Sequence, residues 1–149
     1  MYHAINSSID QLLSRSEMRK LVADYAWLTC RFAAGGDVTT DVRFQDKYKS
    51  FWALNAARLD DSFLKPYFGL LQSLRGIEME TEGILKKVTA ELREIPKRSG
   101  ASPANQFSFA SKLVHALDAS SPVFDSRVRA FFSSQTRRRQ TDSSPYTVS

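Results

Sequence analysis

Asp125 is the side chain in this sequence best placed to do chemistry. It follows Ser120-Ser121-Pro122-Val123-Phe124, a corner in which Ser121 can cap a helix and Pro122 can take the first helical position, where a missing N–H costs nothing. The spacing predicts a helix opening at Pro122, with Asp125 in its first turn beside a stripe of Phe124, Val128, Phe131 and Phe132. A carboxylate there is held ionised by the unpaired amides of the helix N-terminus. The sequence thus puts a fixed negative charge at the edge of an apolar face, next to a corner. The ordinary structural alternative for Asp125 is an i,i+4 pair with Arg129, worth about a few tenths of a kcal/mol.

The element that must position this corner is the segment just before it. At 100° per residue, Phe107, Phe109, Ala110, Leu113, Val114, Ala116 and Leu117 share one arc, and Ser108, Ser111, Lys112, His115 and Asp118 share the other. This predicts an amphipathic helix with Lys112 and His115 on a solvated face. One cysteine, Cys30, and two histidines, His3 and His115, make no metal-ligand set. No metal and no cofactor are expected.

The order of parts in residues 107–132 (apolar helix, Ala-Leu-Asp exit, short loop, proline, apolar pair, Asp, then a Val-containing polar helix) resembles the helix-hairpin-helix DNA base-excision glycosylases, especially the 8-oxoguanine branch. The resemblance implies that Asp125 is the catalytic carboxylate. Where that family carries a glycine-rich hairpin turn that holds a DNA phosphate, this chain has Ser102-Pro103-Ala104-Asn105-Gln106. Where the bifunctional members carry a lysine nucleophile, the matching position is Phe107; Lys112 is the one lysine in the helix and the alternative nucleophile. The resemblance therefore implies a monofunctional enzyme that uses water, with DNA as its partner. Lys97, Arg98, Arg127 and Arg129 flank the site in sequence and are the candidate phosphate contacts. Tyr48, Phe51 and Trp52 are candidates to line a pocket for a flipped base, although aromatics at helical spacing ordinarily form core.

Upstream, the sequence predicts an all-α fold, a compact multi-helix domain over residues 1–135. At 149 residues and 42% hydrophobic, with 10 Phe and 5 Tyr, the chain has material for one core. Ser7 or Ser8 opens a short helix to Leu13, and Ser16 opens a longer one that Gly35-Gly36 ends. Thr39, Thr40 or Asp41 opens a third, running on through Leu59. The fourth spans residues 61–74, with Phe63, Tyr67, Leu70, Leu71 and Leu74 facing inward. The fifth spans residues 81–95, with Leu85, Val88 and Leu92 inward, and Pro96 stops it. The link over residues 96–106 is the most flexible interior stretch by composition. Residues 136–149, with Arg137-Arg138-Arg139 at their start, read as a disordered basic and polar tail.

A net charge of +5 favours a polyanionic partner. No run reaches the roughly 18 apolar residues a membrane span needs, and the N-terminus lacks the blocks of a signal peptide, so a cytoplasmic protein away from membranes is expected. Two other functions fit the same pattern: a glycosylase-like scaffold that binds nucleic acid or regulates without catalysis, and a helical module for a protein partner.

Overall fold

The computed structural model describes residues 16–102 and 104–125, which form five α-helices and one short 3-10 turn, with no strand among the described residues. The expected helix near residues 7–13, the tail, and both Arg127 and Arg129 lie outside them. The chain divides into two units, residues 1–77 with 94–104, and residues 78–93 with 105–149.

In the first unit, α1 is Ser16–Ala33, and Gly35 ends it in the left-handed region at φ 84°, its N–H reaching the Phe32 carbonyl. That conformation strains any residue with a Cβ. Asp41 caps α2 (Val42–Phe51) by accepting from the Phe44 N–H at 3.0 Å. The same carboxylate accepts from Arg31 Nε at 2.7 Å, which ties the last turn of α1 to the first of α2. The two helices also meet through Phe32–Phe44 and Tyr25–Phe51 and through Arg43 and Lys47 over the Trp27 ring.

Helix α2 is shorter than the sequence predicts. It stops at Phe51, and Ala53 and Arg58, at φ 54° and 51°, bracket a 3-10 turn, Leu54–Ala57. A continuous helix would place Leu54 roughly 120° around from Tyr48. The break instead buries it, at 1% exposure, in the same core as Phe44 and Tyr48. The burial of that leucine offsets two left-handed residues.

Asp60 caps α3 (Asp61–Leu74), accepting from the N–H and hydroxyl of Ser62. The predicted stripe of α3 is buried throughout, joined by Phe68. Its rings interlock with α2: Tyr48 lies 6.1 Å from Tyr67 and 5.7 Å from Phe68, and the two tyrosine hydroxyls bond at 3.0 Å.

The second unit is an α-hairpin. α4 (Thr81–Arg93) packs on α5 (Phe107–Leu117). Its buried residues are Ile84, Val88 and Leu92; Val88 and Leu92 face inward as expected, and Leu85 is only half-buried. Ile84, β-branched and on the same face as Val88, takes the inner position that Leu85 was expected to hold.

Candidate functional site around Lys112 and Asp125

The polypeptide leaving α5 doubles back along that helix. Asp118 starts the reversal: its Oδ1 accepts from the N–H and hydroxyl of Ser120, and its Oδ2 accepts from the hydroxyls of Ser121 and of Thr81 at the start of α4. These bonds, the Ser120 hydroxyl first, hold the Asp118 carboxyl far below the usual carboxylate range. The Ser121 carbonyl then meets His115 Nδ1 at 2.6 Å; since a carbonyl only accepts, Nδ1 carries the hydrogen. One turn further back, Ser111 Oγ accepts from the Phe124 N–H at 3.0 Å and lies 3.1 Å from the Phe124 carbonyl. Phe124 finally sets its ring edge-on to Phe107 at 5.4 Å.

This strap corrects two expectations. Residues 122–125 are not helical, so Asp125 does not sit in the first turn of a helix opening at Pro122. The physical reason lies in the competing partners. The Ser121 hydroxyl donates to Asp118 and does not serve as an N-cap acceptor, and Ser111 engages both backbone groups of Phe124. Nor is the polar arc of α5 solvated: Ser111 is 3% and Lys112 8% exposed. Residues 109–114 are buried in an unbroken run, which makes α5 a helix covered all round.

The reversal brings Asp125 and Lys112 together. Lys112 follows Ser111, to which Phe124 is bonded, and Asp125 follows Phe124. Burial pushes the Lys112 ammonium below its ordinary value, and the Asp125 carboxylate pulls it back. Lys112 Nζ also stands 5.6 Å from the Phe109 ring. A buried lysine of lowered basicity is closer to a free amine, the form that acts as nucleophile or base.

The other predicted residues fall elsewhere. Lys97 and Arg98 belong to the first unit. Their loop is pinned, not loose: the Asp60 N–H donates to the Lys97 carbonyl and the Ser99 N–H to Asp60 Oδ2. Tyr48 is 1% exposed and forms core, while Phe51 and Trp52 are half-buried, ring to ring at 4.8 Å. Arg127 and Arg129 lie outside the described residues.

Sequence reasoning missed Asp118 as an organiser, although an Asp with Ser at the second and third following positions is the pattern of a side-chain-capped turn. It also missed Gln106, 1% exposed, whose amide N and O both lack a hydrogen-bond partner. An apolar depression of about 440 Å³ lies on α4, lined by Glu82, Leu85, Lys86, Thr89, Ala90, Arg93 and Phe107. Asp125 and Lys112 do not line it. Among the described residues, no three His, Cys, Asp or Glu side chains gather as a metal site, and no helix is long and apolar enough to cross a membrane. No protein-family model, no curated protein and no solved structure matches this chain.

Proposed function

We propose that this chain is a DNA-binding protein that cleaves the N-glycosidic bond of a flipped base, with Asp125 as its carboxylate. The observation that supports this reading is that Asp125 lies near enough to a buried Lys112 for its charge to act on that ammonium. In N-glycosidic cleavage the bond from C1′ to the base nitrogen breaks and the electron pair leaves with the base. Positive charge grows on the sugar, and an ionised Asp125 stabilises it and takes the proton of the water that bonds to C1′. The base must leave the stack for this to happen. Lys112 is the alternative nucleophile: its neutral amine would bond to C1′ in place of water, and the resulting imine can be trapped by reduction.

The test is base excision on duplex oligonucleotides carrying 8-oxoguanine, uracil and alkylated bases. Wild type should leave abasic sites, and Asp125→Asn should lower the rate by about 10²–10⁴-fold while salt-sensitive binding persists. Borohydride trapping that Lys112→Gln abolishes assigns the lysine route; abasic product without trapping assigns the water route. No product from any duplex, with binding unchanged by either substitution, rejects the enzyme.

The second reading is a scaffold that binds nucleic acid without reaction. It is favoured by Asp125 standing in irregular backbone, outside the helical first turn that the sequence predicts.

A further inference from the structure

The apolar depression on α4 is independent of the Asp125 site. Its lining residues Glu82, Leu85, Lys86, Thr89, Ala90 and Arg93 stand at i, i+3, i+4, i+7, i+8 and i+11, one continuous helical face. Phe107 closes one flank of it. The buried face of the same helix, Ile84, Val88 and Leu92, points roughly 130° away. We propose that the lining face pairs with the same face of a second copy of the chain, the two α4 helices running antiparallel about a two-fold axis.

The residue types select that occupant. An antiparallel pair centred between residues 87 and 88 sets Glu82 opposite the partner's Arg93, and by symmetry the same contact forms at the other end. Arg93 is exposed and makes no ion pair among the described residues. Glu82 meets Lys86 through Oε1 at 2.7 Å, which leaves Oε2 for a guanidinium. Between the ends, Ala90 is exposed and small, with room for the stem of the partner's Lys86, while Leu85 meets the partner's Thr89. A surface of single sign would match one end of this face and repel the other, and an apolar ligand would use neither charge.

From Glu82 to Arg93 the helix rises about 16 Å, too short a seam to bury the roughly 800 Å² per partner of a standard interface. The pair is therefore transient, with a Kd between about 1 μM and 1 mM.

Sedimentation equilibrium of the full chain tests this. Wild type should pass from monomer to dimer as its concentration rises from about 10 μM to about 1 mM. Glu82→Arg sets like charges together at both ends, as does Arg93→Glu, and each should weaken association about tenfold because the contact occurs twice. Both positions are exposed, so the fold should survive, which circular dichroism checks. An equimolar mixture of the two variants again sets an acid opposite a base at each end, and should associate about as tightly as wild type. A wild type that stays monomeric throughout the range overturns the proposal. So does association that neither substitution weakens, or a mixture no tighter than its components, since a different face or a parallel pairing would then join the copies. A small molecule retained on the wild-type monomer in native mass spectrometry and lost in Ala90→Lys overturns it as well, by giving the face another occupant.

Discussion

Gln106 and Lys112 are two places among the described residues where a single side chain works against the folded state. Gln106 is buried with neither amide atom satisfied, and each such orphan costs about 1–3 kcal/mol. Gln106→Met, of similar length, should therefore raise the unfolding free energy by about 1–3 kcal/mol, measured by urea denaturation. Lys112 acts through protons. Its pKa in the fold lies below the ordinary 10.5, so between those two values the unfolded chain holds the proton and the native chain does not. Stability thus rises with pH across that window and levels off above 10.5. Lys112→Met should remove this rise and stabilise the protein at neutral pH, checked by denaturation midpoints along a pH series. If base excision is the activity, the same substitution separates a catalytic lysine from a merely strained one: only the former loses imine trapping.

At the scale of elements, the most instructive feature is the break after α2. Ala53, at φ 54° without a glycine's freedom, costs about 1 kcal/mol in the left-handed region. Ala53→Gly should stabilise by up to about 1 kcal/mol, and Leu54→Ala should cost about 2–5 kcal/mol, both read as shifts in thermal or chemical unfolding. The sequence announces the start of this helix through Asp41, but a run of good helix formers over residues 53–57 hides its end. Only the tertiary demand for Leu54 in the core breaks it. The same division holds across the chain. Helix bounds set by a cap or by Gly, as at Asp41 and Gly35, were legible because local chemistry sets them. The burial of Ile84 in place of Leu85 on α4, the burial of Lys112 and the strap after α5 were not, since each depends on what packs against the element. For the strap, the decisive contact is one hydroxyl: Ser111→Ala should speed amide exchange at Phe124 without melting α5, a comparison NMR makes directly.

The whole molecule should be most stable on the alkaline side of neutrality. Asp118, Asp60, Asp41 and Asp37 all have carboxyls held below their ordinary 3.8. The stability they contribute is present above that value and lost as pH falls through their folded values. At the other end, burial raises Tyr48 and Tyr67 above their ordinary 10.0. There the unfolded chain sheds protons that the native chain keeps, and stability falls as pH climbs past 10.0. Tyr48→Phe with Tyr67→Phe should flatten that alkaline fall, measured by unfolding between neutral and strongly basic pH. That pair of hydroxyls, bonded at 3.0 Å in the core, has one more consequence. A phenol proton sealed from water should persist long enough to give its own resonance in a proton spectrum. Its rate of disappearance in deuterium oxide would then be an intrinsic clock for the opening of the first unit, with no label attached.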